Sequence, residues 1–346
     1  MRFGPVPVDE AVGALTAHSL RAADVVIRKG ATISAEHAAG LKASGIDTIT
    51  AVRLEPGDVG EDEAALRLAR AVAGAEVRVE QPFTGRSNLY AESAGLLMID
   101  KPIVDSLNGI DEAITFATLP AFKPVVEGEM IGTVKIIPYA VAGSVLDAGL
   151  AVAARGAALA VAPYARRRVG AISTLTPGLK PSVVAKTIRV LGERLAPSGA
   201  TLVAQAMTPH ETAPLAAALT RQVESGAELV VVFGASAIAD RRDVIPAAIE
   251  QAGGEIEHFG MPVDPGNLLL VGRIGTTPVI GAPGCARSPK ENGFDWVLQR
   301  LLAGIPVTRA DITALGVGGL LMEIVSRGQP RGGGEPHEEG EEHADG

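Results

Sequence analysis

Four short stretches hold most of the residues whose types and spacing could do chemistry. The first, residues 173–182, offers Ser173, Thr174, Thr176, Gly178, Lys180 and Ser182, a set of hydroxyl and cationic donors at an expected helix start. Free backbone N–H groups and the helix dipole favour phosphate at such a place. The same residues could equally do no more than cap the helix and turn the chain, and the loop alone leaves both roles open. The second stretch, 208–211, brings His210 and Glu211 after Pro209, although an acid in a first helical turn is ordinary. The third, 234–243, reads Gly-Ala-Ser-Ala-Ile-Ala-Asp-Arg-Arg-Asp. Its small side chains let backbone N–H groups approach a ligand, and either Asp240 or Asp243 could hold Mg²⁺ or a protonated ring; pairing with Arg241 or Arg242 is the competing role. This loop lacks the lysine of a P-loop and the spacing of a dinucleotide fingerprint, which disfavours an ATPase or a Rossmann dehydrogenase. The fourth, 282–290, carries Pro283-Gly284-Cys285, and a related turn at 263–267 carries Pro265-Gly266. No histidine base pairs with Cys285 in sequence, so it reads as a small buried thiol.

These loops need a scaffold, and the spacing supplies one. The run 229–233 is unbroken and apolar, as expected of a parallel strand buried on both faces. Strand, loop and helix then recur four times from residue 168. Strands are expected at 169–175, 201–207 and 229–233, with 268–274 and 277–282 as a pair, and helices at 183–195, 212–226, 242–254 and 288–304. Pro181 or Ser182 opens the first helix and Ser288-Pro289 the last. Right-handed crossovers then imply an α/β fold with a mostly parallel sheet and helices on both faces, its loops sharing the carboxyl edge where such folds bind ligands. That domain is expected over 166–304, holding an anionic small molecule.

The preceding region, 1–165, reads differently. Helices are expected at 8–21 and 61–75, and residues 76–140 show a β-rich pattern of strands and turns. After the α/β domain, 305–328 forms an amphipathic segment, and 329–346 is expected to be disordered. His337 and His343 in that acidic tail read as solvated rather than as metal ligands.

Composition narrows the possible functions. A chain of 346 residues with 47% hydrophobic and 21% charged residues can bury large cores in two or more domains. The longest apolar stretch, 140–162, is broken by Asp147 and Arg155, so no membrane span is expected. No export signal is visible, and a cytoplasmic location is the default. A single cysteine excludes an internal disulfide framework and a multi-cysteine zinc site. The net charge of −9 and 3% aromatic content argue against nucleic acid as a partner.

Taken together, the loops resemble the molybdopterin-binding domain of molybdenum cofactor biosynthesis proteins, over about 166–304. Gly234 and Ser236 correspond to that family's Gly-Gly-x-Ser/Thr-x-Gly loop, Pro265-Gly266 to its Pro-Gly-x-Pro turn, and Pro283-Gly284 to its Leu-Pro-Gly-Asn-Pro turn. The N-terminal region is similar to the extension of molybdenum insertases, with Gly85-Arg86-Ser87-Asn88-Leu89-Tyr90-Ala91 standing for their Arg-Ser-x-x-Asp-Gly-Tyr-Ala segment without its aspartate. The likeness is nearest to molybdopterin-binding proteins associated with molybdenum hydroxylases. The resemblance implies molybdopterin or adenylyl-molybdopterin as ligand. Ser173, Thr174, Lys180 and Ser182 would meet its phosphate, Gly234, Ser236, Pro265, Gly266, Pro283 and Gly284 would line the pocket, and Asp243 and Asp240 would hold Mg²⁺. It also implies an insertase that adds molybdate and releases AMP, with Asp243 and Glu211 in catalytic roles. The alternative is a non-catalytic carrier delivering cofactor to a molybdenum hydroxylase, with any nucleotidyltransferase a separate partner and a homodimer as the usual assembly. An unrelated sugar- or nucleotide-binding α/β protein is the third reading. The departures fall largely on the acids: the first loop reads Ser-Thr-Leu-Thr-Pro-Gly without the family's Asp-Glu, His210-Glu211 stand where the family has two aspartates, and in the third loop Phe233 stands where the first glycine would be, with neither Asp240 nor Asp243 at the usual distance from Ser236. They bear on transfer chemistry more than on binding.

Overall fold

The computed structural model describes residues 1–22 and 25–321. The expected disordered tail, and residues 322–328 of the expected amphipathic segment, lie outside the described residues. The chain divides into two compact units, one of Met1–Val169, Gly192–Val203 and Leu298–Pro306, the other of Gly170–Leu191, Ala204–Val297 and, as far as described, the chain from Val307 onward.

The first unit is β-rich, as the pattern of strands and turns indicates. Strands Arg2–Pro7 and Leu15–Thr16 flank Thr48–Arg53 in an antiparallel sheet. The helix expected at 8–21 does not form: a 3-10 turn, Val8–Glu10, gives way to strands Leu15–Thr16 and Leu20–Ala22. Gly13, at φ +84°, turns the chain there, and pairing of Leu15 with Val52 offers the backbone a ladder in place of helical bonds. A helix appears instead at Ala35–Ala43, closed by a capping box between Ser34 and His37. The helix expected at 61–75 forms over Glu61–Val72, with three acids in its first turn and Ala64, Ala65, Leu68, Ala69 and Val72 buried. A four-stranded antiparallel sheet orders Ile114–Thr118, Met130–Ile136, Arg86–Ala91 and Val77–Val79.

The α/β part of the chain, which holds most of the second unit, is built on a six-stranded sheet. Its elements are β1 (Arg168–Leu175), α1 (Pro181–Leu195), β2 (Thr201–Pro209), α2 (Thr212–Glu224), β3 (Leu229–Phe233), α3 (Val244–Gln251), β4 (Glu255–Phe259), β5 (Leu270–Ile274), β6 (Thr277–Ala282) and α4 (Gly293–Leu302). The order across this mostly parallel sheet is β2-β1-β3-β6-β5-β4. Central β3 is fully buried and pairs parallel with β6, which is why its sequence is continuously apolar rather than alternating. Val230 and Val232 join Ile172, Leu215, Leu219, Ile245 and Ile249 in one core, placing α2 and α3 on that face. Alternation turns Phe233 to the other face, where it meets Phe294 of α4 with ring centroids 6.5 Å apart. Helices therefore cover both faces.

Three features depart from the sequence reading. Strand β4 was not expected, because Glu255-Ile256-Glu257-His258-Phe259 is a half-exposed edge strand with few apolar positions; it pairs antiparallel with β5, which pairs antiparallel with β6. The last helix starts at Gly293 rather than at Ser288-Pro289. Residues Gly284–Arg287 form a 3-10 turn first, and buried Asn292 accepts the Phe294 N–H at 3.1 Å while Asp295 accepts the Asn292 N–H at 2.9 Å. In the described part of 305–328, the only α-helix is the short Arg309–Thr313, closed by a Thr308–Asp311 capping box. Among the described residues no helix is long and apolar enough to cross a membrane.

His258 on β4 couples this edge to pH. Burial, and then the Arg309 and Arg241 cations, hold its pKa below the ordinary value, with Glu257 opposing. A depressed histidine contributes stability that is present above its unfolded pKa of about 6.5 and is lost as pH falls through the folded value. The urea midpoint of the wild type is therefore expected to fall further than that of His258→Asn between about pH 7.5 and about pH 5. Equal pH dependence in the two proteins would show that other groups control the transition.

Candidate functional site

The sheet topology gathers five segments at one edge. Phe233 and Ala282 are parallel partners, so the loops after β3 and β6 leave together. Strand β5 runs antiparallel to β6 with Leu270 opposite Gly281, which returns the 264–267 turn to the same edge. The His210 N–H donates to the Leu175 carbonyl at 2.9 Å, setting the ends of β1 and β2 side by side.

At this edge a chain of hydrogen bonds joins three of those segments. Thr174 is fully buried; its hydroxyl oxygen accepts the Ala235 N–H at 2.8 Å and lies 2.8 Å from His210 Nδ1. His210 Nε2 in turn lies 3.1 Å from Ser236 Oγ. Two tautomers close the chain. If the Thr174 hydroxyl donates to Nδ1, Nε2–H donates to Ser236; if Nδ1 carries the proton, the Ser236 hydroxyl donates to Nε2. Either way, the imidazole ties the exposed Ser236 hydroxyl to a buried anchor.

Arg287 holds the same loop from the opposite face of β3. Its Nη2 donates to the Gly234 carbonyl at 2.7 Å and Nη1 to Thr187 Oγ1 of α1 at 3.0 Å, with the guanidinium 5.7 Å from the Phe233 ring centroid. Burial lowers its pKa, but an arginine remains cationic at neutral pH. Gly234 is required sterically, since a Cβ there would lie 2.6 Å from the Ser236 carbonyl oxygen and 2.9 Å from Ile245 Cδ1. Ile238, only 3% exposed, anchors the middle of the loop in the core shared with β3 and α3. Sequence reasoning passed over Arg287; the available signal was a single cation directly after Pro283-Gly284-Cys285-Ala286 in an edge loop.

The acidic residues are placed differently. Asp243 caps α3, accepting the Val244 N–H at 2.7 Å and the Ala239 N–H at 3.0 Å, so its carboxylate closes its own loop. Asp240 binds Arg242 Nε at 2.8 Å, and that guanidinium, with the Arg242 N–H, holds its carboxyl below the usual range. Glu211 stands at the exposed N-cap of α2 without a side-chain capping bond. No group of three or more His, Cys, Asp or Glu side chains converges as a metal site among the described residues. Asp240 and Asp243, so committed, do not fit a Mg²⁺ centre.

The remaining expected contacts are spread along and behind the edge. Ser173 is buried on the strand face opposite Thr174, its hydroxyl without a partner among the described residues, and Thr174 is engaged as above. Lys180 and Ser182 are exposed at the start of α1. Pro265 and Gly266 pack on the start of α4: the Gly293 N–H donates to the Pro265 carbonyl at 2.9 Å, and a Cβ on Gly266, at φ +142°, would lie 2.9 Å from the Gly293 backbone. Pro283 leads into the 3-10 turn, and Gly284 faces open space.

An open α/β sheet that gathers loops at its carboxyl edge defines a class of small-molecule-binding domains. Residues 172–314 match the family described as a probable molybdopterin binding domain. Residues 5–53 match a domain of unknown function. No curated protein matches the chain. Among solved structures, it is similar to a molybdopterin biosynthesis MoeA protein from Pyrococcus horikoshii, with 14% identity, 88% of this chain and 75% of that chain covered, and a TM-score of 0.31. It is similar also to the molybdopterin biosynthesis enzyme MoaB from Thermus thermophilus, at 18% identity over 40% of this chain and 98% of that one, TM-score 0.29. The molybdopterin biosynthesis Mog protein from Mycobacterium ulcerans is 16% identical over 41% of this chain and 100% of that one, TM-score 0.27.

Proposed function

We propose that the protein binds molybdopterin or adenylyl-molybdopterin at the carboxyl edge of the α/β unit and acts as a carrier in molybdenum cofactor biosynthesis, with a molybdenum hydroxylase as recipient. The observation that carries this reading is the arrangement of loop 234–236, fixed from one side by Thr174 and His210 and from the other by the half-buried Arg287 cation. A small-residue loop held in this way presents backbone and hydroxyl groups to a ligand in a preset geometry, which lowers the ordering cost of binding. The exposed Lys180 and Ser182 at the start of α1 suit the terminal phosphate of such a ligand. Holding is favoured over insertion because Asp240 and Asp243 are engaged by Arg242 and by backbone N–H groups. Insertion of molybdate with AMP release would need charge on the separating phosphates to be neutralised by a metal that these carboxylates do not gather.

The test is anaerobic titration with molybdopterin and with adenylyl-molybdopterin, following binding, AMP release and molybdate incorporation, with Mg²⁺ and with a chelator. Saturable binding that is indifferent to the chelator and releases no AMP is expected. AMP release that requires Mg²⁺ and disappears in a folded Asp243→Ala protein would replace the carrier with an insertase. No binding of either ligand would overturn the reading altogether.

A further inference from the structure

The first unit contains a cavity of about 430 Å³ that the reading above does not use, lined by Lys29, Gly30, Glu61, Thr84, Arg86, Lys135, Ile137 and Tyr139. Three cations face it against one carboxylate. Lys135 Nζ lies 3.3 Å from Glu61 Oε2 and also donates to the Thr84 carbonyl, so that acid is taken up by Lys135. Among the described residues no carboxylate pairs with Lys29 or Arg86. Among the described residues, two positive charges are thus left without a carboxylate partner in a concave space.

The backbone at the cavity is strained in a way that sets one of these cations. Phe83 and Arg86 bridge across a two-residue turn in which Thr84 (φ +50°) and Gly85 (φ +72°) both occupy the left-handed region. A β-branched residue there is a genuine outlier, and such outliers cluster at ligand sites. The turn aims the Thr84 carbonyl at the Lys135 ammonium, while the Gly85 N–H is anchored on Asp62 at 2.6 Å. A Cβ at Gly85 would lie 2.2 Å from Glu61 Oε2 and 2.7 Å from Lys135 Nζ, so turn, acid and ammonium are packed together. On another wall, the Tyr139 hydroxyl donates to the Ala17 carbonyl at 2.8 Å, and the Lys29 ammonium lies 5.8 Å from the ring centroid.

We propose that this cavity binds a small phosphate monoester. Lys29, Arg86 and Lys135 would meet the dianionic phosphate, since two uncompensated cations match two negative charges and arginine matches phosphate geometry in particular. The volume falls within the range of small-molecule sites and leaves room for an organic group beside Tyr139 and Ile137.

The experiment is calorimetric titration of the full chain at low ionic strength with phenyl phosphate and with benzoate, which keeps the ring but carries one charge. Saturable phenyl phosphate binding is expected, at least about tenfold tighter than that of benzoate. In the double variant Lys29→Gln/Arg86→Gln, whose exposed side chains have no carboxylate partner among the described residues, affinity is expected to fall by about tenfold or more, with thermal unfolding unchanged. Equal affinity for the two probes, or no saturable binding to the wild type, would overturn the proposal. So would a double variant that binds as the wild type does while Arg287→Met does not, because the phosphate would then sit on the α/β unit. Failure here leaves the molybdopterin titration untouched, and the reverse holds equally.

Discussion

Phe233→Ala is expected to destabilise the α/β unit by about 3–5 kcal/mol, the usual cost of emptying a fully packed aromatic site. Phe233 is 1% exposed at the end of the central strand, packed against Phe294 and beneath the Arg287 guanidinium. Its removal opens a cavity and also takes away the surface on which the cation rests. The protein's one tryptophan, Trp296, lies in α4, so urea unfolding followed by its fluorescence reports on this unit. Phe233→Leu, which keeps most of the volume, is expected to cost markedly less. Similar midpoints for Phe233→Ala and the wild type would mean that the Phe233 site collapses without a cavity.

The second large effect is expected on ligand affinity. His210→Ala removes the link between Thr174 and Ser236 and leaves the buried Thr174 hydroxyl proton without its acceptor in one of the two tautomers. Loss of a partner at a buried group costs about 1–3 kcal/mol. Molybdopterin binding is expected to weaken by about tenfold, roughly 1.4 kcal/mol, as Ser236 loses its fixed position. Thr174→Val in the same background separates the alternatives. If the histidine acts through the hydrogen-bonded chain, the double variant is expected to lose less than the two single losses combined. Full additivity, measured by titration of the four proteins, would show that Thr174 and His210 act independently.

Much of the α/β unit was legible because its signals are local. The run from Leu229 to Phe233 is apolar at every position because both faces of that strand are covered, and Pro181 marks a helix start through its fixed φ. The Gly234 loop was legible for the same reason, as small residues directly after a buried strand. Strand β4 was not, because alternating Glu255, Glu257 and half-buried neighbours resemble a surface loop until β5 supplies hydrogen-bond partners. The segment 8–21 misled because its composition suits a helix, while the pairing of Leu15 and Thr16 with Val52 and Ala51 depends on residues distant in sequence.

By itself the sequence determined where the buried strands of the α/β sheet fall and where some of its helices begin, since periodicity and the backbone limits of glycine and proline act over a few residues. It therefore also determined which loops reach the carboxyl edge. Only the tertiary structure decided what the polar residues in those loops do. Asp243 spends its carboxylate on the Val244 and Ala239 N–H groups, and Asp240 spends its own on Arg242. His210, whose partners the sequence did not show, joins Thr174 to Ser236 across three segments, and Arg287 reaches the Gly234 carbonyl from 53 positions away. The physical reason is range: a carboxylate, imidazole or guanidinium takes its role from whichever donor or acceptor lies within about 3 Å, and the fold alone sets that neighbour.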